Sequence, residues 1–119
     1  MTIGEFSEKT GISSSTLRYY EEKGLIRVSR DAGNRRIYSD TDVEWVKFLQ
    51  RLKHTGMCLK DMKLYAVLRY EGESTMPQRL ELLIKHRKYV DEQLRLWNAY
   101  SRNLDDKMEY YLAKIEKRN

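Results

Sequence analysis

The start of the chain alternates short amphipathic stretches with glycine stops. Thr2, followed three residues later by Glu5, forms a capping box that predicts a helix start, and Gly11 predicts its end. Ser13 is the expected N-cap of a second helix, in which Leu17 turns inward. Because the turn between the two helices is only about three residues long, the pattern predicts a helix-turn-helix.

A short basic stretch follows and has the chemistry of a β-hairpin. Residues 31–34 favour a tight turn, because Gly33 and Asn34 tolerate positive φ. Extended residues flank this turn, at 27–28 before it and at 35–38 after it. The pattern predicts a small two-stranded wing.

Two further amphipathic helices are expected after the wing. Ser39 with Asp42 caps a third helix, which ends near Gly56. A fourth helix is predicted from about Cys58 to Glu71. The side chains expected to be buried in these two helices are Val43, Val46, Phe48, Leu49, Leu52, Leu59, Met62, Tyr65, Ala66 and Leu68. These apolar faces predict one compact head.

The last part of the chain has no Gly or Pro after Pro77 and follows a heptad pattern. A capping box of Thr75 and Gln78 is its expected start. A 3-4 spacing runs through Leu80, Leu83, Arg87, Val90, Leu94, Trp97, Ser101, Leu104, Met108, Tyr111 and Ile115. Nine of these eleven residues are apolar, which predicts a coiled coil. Such a helix would span roughly 63 Å, too long a stripe for the head to cover, so we expect a second copy to cover it.

The expected fold class is therefore mostly α, with a winged helix-turn-helix head of four helices and a short β-hairpin, followed by one long dimerisation helix. The head is assigned to residues 1–72 and the long helix to residues 73–119. The residues expected in the dimer seam are Leu80, Leu83, Val90, Leu94, Trp97, Leu104, Met108, Tyr111 and Ile115.

Composition narrows the possible functions. The 119-residue chain is 40% hydrophobic and 34% charged, with one Pro, which suits a helix-rich globular chain. No apolar run approaches the roughly 18 residues of a membrane span, and the N-terminus lacks the features of a signal peptide. We therefore expect no membrane partner and a cytoplasmic location.

The net charge is +5, which by itself is weak evidence for a nucleic-acid partner. Its distribution is more informative, since residues 27–36 contain four arginines and one acidic residue. Within the predicted wing, Arg35 and Arg36 are candidate phosphate contacts, with Tyr38 beside them. The alternative is an ordinary solvated turn.

The second helix is the candidate recognition helix. The residues on its polar face that can meet base edges and phosphates are Ser14, Ser15, Thr16, Arg18 and Tyr19. The spacing of Tyr20 from Leu17 favours the core, although a DNA contact stays open for it. The alternative interpretation is a solvated face on an ordinary helix pair.

Three stretches in combination resemble the MerR family of bacterial transcriptional regulators. They are Thr16-Leu17-Arg18-Tyr19-Tyr20-Glu21, Gly24-Leu25-Ile26 and Arg35-Arg36-Ile37-Tyr38. The resemblance covers the head. Further similarity to a short-chain branch of the family lies in Trp45-Val46-Lys47-Phe48-Leu49, Thr55-Gly56-Met57, residues 79–83 and His86-Arg87. Some members of that branch respond to aldehyde or thiol stress.

The resemblance implies a homodimer joined by an antiparallel coiled coil of the long helices. It also implies binding to an inverted repeat in a promoter whose −35 to −10 spacer is too long. Bending and untwisting this double-stranded DNA would align the two elements for RNA polymerase, an indirect use of DNA deformability. Lys60, in the first turn of the fourth helix, resembles a backbone-contacting position of the family.

Cys58 is the one candidate redox sensor. It falls where a serine commonly caps a helix, and a helix N-terminus favours a reactive thiolate. Burial in a small core and the carboxylate of Asp61 would oppose this reactivity. The stress-responsive relatives carry their cysteine in the third helix, and residues 46–53 contain none here. A sensor role for Cys58 is therefore not favoured.

Other chemistry is not indicated. The spacing of His54 and His86 from other possible ligands is not that of a metal site, and no nucleophile-base constellation appears, so we expect no metal, no cofactor and no enzyme activity. No separate inducer-binding domain is expected. Two alternatives to the promoter regulator stay open: a coiled-coil scaffold for protein partners and an architectural DNA binder similar to an excisionase.

Overall fold

The computed structural model describes all residues from 1 to 119. The elements in chain order are α1 (Ile3–Thr10), α2 (Ser14–Glu22), β1 (Ser29–Arg30), β2 (Arg36–Ile37), α3 (Asp40–His54), α4 (Leu59–Glu71), a 3-10 turn (Glu73–Thr75) and α5 (Met76–Arg118). The predicted class, a mostly α chain with a helix-turn-helix, a small hairpin and one long final helix, is confirmed.

Side-chain caps fix the first two helices where the sequence predicted them. The Thr2 hydroxyl accepts from the Glu5 N–H at 3.2 Å, and the Glu5 carboxylate accepts from the Thr2 N–H at 3.3 Å. Hydrogen bonds that the Glu5 carboxylate accepts from the Thr2 backbone N–H and the Thr2 side chain hold the pKa of Glu5 below its ordinary value. Gly11 ends α1 at a φ of 73°, and the Ser13 hydroxyl accepts from the Thr16 N–H at 3.1 Å to begin α2.

The core of the head lies among α1, α2, α3 and α4. Val43, Val46, Leu49 and Leu52 of α3 are buried, as predicted, and Phe48 is half-buried. Trp45 is also buried, although it was not among the residues expected inside.

Trp45 can enter the core because its polar atom has a partner. The indole N–H donates to the Leu25 carbonyl at 3.1 Å. The ring stacks on Tyr65 with centroids 5.8 Å apart, and the Arg69 guanidinium lies 4.4 Å from the ring centre. This cluster ties α3 to α4 and to the loop after α2.

The wing is a short antiparallel hairpin in which Ser29 pairs with Ile37 and Arg30 with Arg36. One carboxylate oxygen of Asp31 accepts from the N–H groups of Gly33 and Arg35, both at 2.9 Å. Asn34 has a φ of 61°, a value that asparagine tolerates better than most residues. The turn at residues 31–34 therefore forms as the sequence predicted.

Thr75 does not make the predicted cap with Gln78. Its buried hydroxyl donates to the carbonyls of Leu68 and Gly72, and it accepts from the Arg79 guanidinium at 3.1 Å. The hydroxyl thus joins the end of α4 to the first turn of α5. A cap motif in the sequence did not reveal this because Leu68 belongs to the preceding helix.

The chain divides into two compact units, Met1–Leu83 and Ile84–Asn119. The first holds every element up to the opening turns of α5, with Leu82 and Leu83 packed against the head core. The second is the remainder of α5. No helix is both long enough and apolar enough to cross a membrane.

Candidate nucleic-acid interface

The candidate recognition helix α2 has one buried face and one polar face. Leu17 and Tyr20 are buried, whereas Ser15, Arg18 and Tyr19 are exposed. This separation follows from the helical period, because residues three apart share a face. The polar face is therefore open to a partner along the N-terminal turns of the helix.

Ser14 and Thr16 complete this polar face but are half-buried. The Thr16 hydroxyl also accepts from the capping hydroxyl of Ser13 at 2.9 Å. These small polar groups lie at the start of α2, where backbone N–H groups and the helix dipole favour a negative charge. A phosphate or a base edge is a chemically suitable partner for this end of the helix.

Tyr20 is placed in the core, with 1% of its surface exposed. Its hydroxyl is buried and has no hydrogen-bond partner in the protein. Burial raises the pKa of Tyr20, and the neighbouring Tyr19 adds to that rise. Tyr20 is therefore not part of the exposed polar face of α2.

The two wing arginines differ in their surroundings. Arg35 is exposed, while Arg36 is half-buried and its guanidinium donates to the Glu21 carboxylate at 3.1 Å. Arg30 donates to the same oxygen of Glu21 at 3.1 Å. Arg35 is thus the freer cation for a phosphate, and Arg36 faces the recognition helix.

Tyr38 lies below this group rather than on the surface. Only 2% of it is exposed, and its hydroxyl is buried without a hydrogen-bond partner in the protein. Burial raises the pKa of Tyr38 first, and the Glu21 charge raises it further, against smaller opposing effects of Arg36, Arg18 and Arg30. A side chain so enclosed supports the wing from beneath and does not face a partner directly.

Lys60 and Cys58 lie at the start of α4. Lys60 is exposed in the first turn, and Cys58 occupies the N-cap position without a side-chain hydrogen bond to the helix. The thiol is exposed, so the protection by a core that we expected for it is absent.

Sequence reasoning missed Glu21 and Arg30 as members of this region. Both were visible in the sequence, Glu21 within the stretch that resembles the family and Arg30 within the basic segment. Nothing local indicates that they meet, because nine positions of chain separate them. No three His, Cys, Asp or Glu side chains gather closely enough to hold a metal ion.

Helix α5 presents a long apolar surface. Trp97 is 70% exposed and Leu104 is 64% exposed, values far above those of core residues. The other seam candidates with large exposed apolar side chains are Leu80, Leu94, Met108, Tyr111 and Ile115. Val90 and Leu83 are half-buried. An apolar surface this extensive on one helix is typical of an interface.

Comparison with known proteins agrees with this geometry. The model of the MerR HTH family regulatory proteins matches residues 1–66. An uncharacterized HTH-type transcriptional regulator of Haemophilus influenzae is 39% identical over 111 residues, which cover 92% of this chain and 82% of that protein.

Two solved structures share the fold. The crystal structure of HiNmlR, a MerR family regulator lacking the sensor domain and bound to promoter DNA, superposes with a TM-score of 0.83 at 39% identity, covering 92% of this chain and 88% of that one. A putative MerR family transcriptional regulator from Listeria monocytogenes gives a TM-score of 0.88 at 33% identity, covering 93% and 85%. The chain belongs to the MerR family of DNA-binding transcriptional regulators.

Proposed function

We propose that this regulator acts as a homodimer on double-stranded promoter DNA. The observation that carries the proposal is the combination of a polar recognition-helix face with an exposed apolar stripe on α5. One surface suits a phosphate-rich ligand, and the other needs a hydrophobic partner. In a two-fold dimer each surface occurs twice, which matches an inverted-repeat operator.

The contact residues divide into two groups by chemistry. Ser14, Ser15, Thr16, Arg18 and Tyr19 of α2 are proposed to read the operator. Arg35, Arg36 and Lys60 are proposed to hold the phosphate backbone, since charged contacts to phosphates position a protein without reading bases. Tyr38 and Tyr20 support these groups from the core.

The division of labour along the chain follows from the same reasoning. Residues 1–72 are proposed as the DNA-binding domain and residues 73–119 as the dimerisation helix, paired antiparallel with its counterpart. The seam would bury Leu80, Leu83, Val90, Leu94, Trp97, Leu104, Met108, Tyr111 and Ile115. Trp97 has the most to gain, because a solvent-exposed indole ring is unfavourable.

The regulatory step is proposed to be a distortion of the promoter. Two heads fixed on one coiled coil can hold a bent and untwisted duplex, for which smooth bending costs of order 1–6 kcal/mol. Shortening an overlong spacer in this way would align the promoter elements for RNA polymerase. We further propose a cytoplasmic location, where promoter DNA and RNA polymerase are found together. As in HiNmlR, described as lacking the sensor domain, no separate domain is needed for these steps.

The test is DNA binding as a function of salt. Fluorescence anisotropy would follow the native protein on a duplex that it enriches from a random-sequence library, beside a scrambled duplex of equal composition. We expect preference for the enriched duplex and a log–log salt slope of about −0.9 for each phosphate contact. A protein scaffold would show neither, and an architectural binder would bind without changing transcription from a promoter that carries the site.

A further inference from the structure

Glu21 is the one acidic side chain that holds both strands of the wing. Its Oε1 atom accepts from Arg30 on β1 at 3.1 Å and from Arg36 on β2 at 3.1 Å. Glu21 itself lies near the end of α2 and is only 21% exposed. A single carboxylate oxygen therefore connects the recognition helix to the two paired positions of the hairpin.

The wing needs such a connection. Each strand has only two residues, and an isolated two-stranded hairpin is marginally stable in water. The register places Arg30 directly opposite Arg36, where two like charges destabilise a strand pair. The Glu21 carboxylate pairs with both arginines, so it offsets their repulsion and connects both strands to α2.

Other positive charges lie near this part of the wing. Arg18, three residues before Glu21 on the same helix, also acts electrostatically on the enclosed Tyr38 hydroxyl, as do Arg30 and Arg36. Three guanidinium groups thus act on the Tyr38 hydroxyl, and two of them, those of Arg30 and Arg36, are paired with Glu21. The group keeps a net positive charge after Glu21 is paired, so the carboxylate orders the arginines without abolishing the attraction to phosphate.

We propose that Glu21 is a positioning residue that locks the wing to the recognition helix, so that both meet DNA in one fixed arrangement. This inference rests on the proposed DNA contacts of α2 and of the wing. Glu21 does not touch DNA in this scheme. It acts through Arg30 and Arg36, whose rotamers it restricts before binding.

A positioning role for Glu21 and simple charge repulsion predict opposite effects on DNA affinity when the Glu21 charge is removed. An acidic residue near a phosphate backbone repels it, so removing the charge should tighten DNA binding. If Glu21 positions the wing, its removal instead weakens binding to the preferred sequence. Binding to any sequence, which depends mainly on net charge, should stay the same or tighten.

The experiment compares Glu21→Gln with Glu22→Gln in the full-length chain. Glu22 is the exposed neighbour on α2 and makes no ion pair. Glu22→Gln therefore removes the same charge without breaking a contact to the wing. The probes are the duplex enriched by the native protein from a random library and its scrambled counterpart, at one salt concentration. We expect Glu21→Gln to raise the Kd for the enriched duplex roughly three- to tenfold, as for a charge-assisted pair that is partly exposed.

For the scrambled duplex we expect no rise in Kd with Glu21→Gln. Glu22→Gln should leave both Kd values equal to or below those of the native protein. The inference is overturned if Glu21→Gln tightens binding to both duplexes as Glu22→Gln does. Failure of the proposed function is a different result, because the native protein would then enrich no sequence at all.

A double-mutant cycle separates positioning from a general loss of structure. Where Arg36→Gln is already present, Glu21→Gln should cost less than in the native background, because one of the two ion pairs of Glu21 is already broken. Equal costs in both backgrounds contradict the proposal. If Glu21→Gln fails to fold, Glu21→Asp replaces it, with its charge kept and its reach shortened by one methylene. The same selective loss on the enriched duplex is then expected, and an unchanged Kd contradicts the proposal.

Discussion

The ring of Tyr38 stacks on the ring of Phe6, with centroids 4.4 Å apart and planes 17° apart. Both rings are buried, and the Tyr38 N–H donates to the Met1 carbonyl at 2.8 Å. The chain that leaves β2 is thus fixed to the start of α1. The wing is held where it leaves β2 by this stack, and at its two strands by the ion pairs of Glu21 with Arg30 and Arg36.

Buried tyrosine hydroxyls predict how stability responds to pH and to substitution. The Tyr20 hydroxyl lacks a partner, so Tyr20→Phe should stabilise the fold by about 1 kcal/mol at neutral pH. Burial raises the pKa of Tyr20, so above pH about 10 the unfolded chain loses this proton before the folded chain does. Stability is unaffected below that pH and falls as pH rises further.

Urea unfolding at a fixed protein concentration, from pH 7 to pH 11, would measure this. The advantage of Tyr20→Phe over the native protein should widen above pH about 10. Tyr110→Phe is the control, because Tyr110 is exposed on α5 and the substitution removes the same hydroxyl without changing the head core. A constant difference for Tyr20→Phe across the range would show that the buried hydroxyl does not titrate as proposed.

Arg35→Ala should weaken binding to every DNA sequence by a similar factor. Arg35 is exposed at the wing and its backbone is fixed by Asp31, so the substitution removes a cation and leaves the turn intact. The salt slope should become shallower by about one unit for each lost phosphate contact. Anisotropy titrations at four salt concentrations give this slope, and an identical slope in the variant would exclude a phosphate contact.

Arg18→Ala should behave differently, because Arg18 lies on the exposed face of the recognition helix. We expect it to change which duplex is preferred as well as how tightly it is bound. Enrichment from a random library by native protein and variant in parallel would measure the change. The same preferred sequence in both would assign Arg18 to the backbone instead.

The double substitution Leu94→Asp with Trp97→Asp should produce a monomer. Both side chains are more than half exposed in the single chain, and a carboxylate buried in their place would be strongly destabilising. Sedimentation velocity over a range of concentrations measures the change. The control is Lys88→Asp with Asn103→Asp, which adds the same groups outside the seam and should remain dimeric. A dimer in the first variant would show that the seam is elsewhere.

Cys58→Ser should preserve the fold and the promoter response. The cysteine lies at an N-cap position without a side-chain cap bond, and serine can supply that bond, stabilising α4 by a few tenths to about 1 kcal/mol. Promoter output would be compared in both proteins with and without aldehyde or disulfide stress. Since the thiol is exposed, a response found only in the native protein would establish it as a sensor.

Thr75→Val should destabilise the head by about 1–3 kcal/mol, because carbonyl groups and the Arg79 guanidinium lose a buried partner. Thr75→Ser keeps the hydroxyl and should recover most of this loss. Thermal unfolding of the three proteins at equal concentration tests the difference. A loss as large in Thr75→Ser, which keeps the hydroxyl, as in Thr75→Val would contradict this role of the hydroxyl.

The features that the sequence predicted correctly are those that local chemistry determines. Thr2, Gly11 and Ser13 act on backbone groups within a few residues, so their roles can be inferred from spacing alone. The burial of Tyr38 could not be inferred in this way. The two-residue strand before it is too short to show which side faces the core, and its packing partner Phe6 lies far away in the sequence. The engagement of Arg36 by Glu21 likewise depends on two elements that meet only in the folded chain.

The two tryptophans of the chain lie in opposite environments, so their intrinsic fluorescence can report on two different processes. Trp45 is 4% exposed and Trp97 is 70% exposed in the single chain. Blue-shifted emission from Trp45 would therefore follow unfolding of the head. Emission from Trp97 would shift and become shielded from iodide only when a second chain covers it. Diluting the protein should change the Trp97 emission before the Trp45 emission, so assembly and unfolding can be followed separately without an added label.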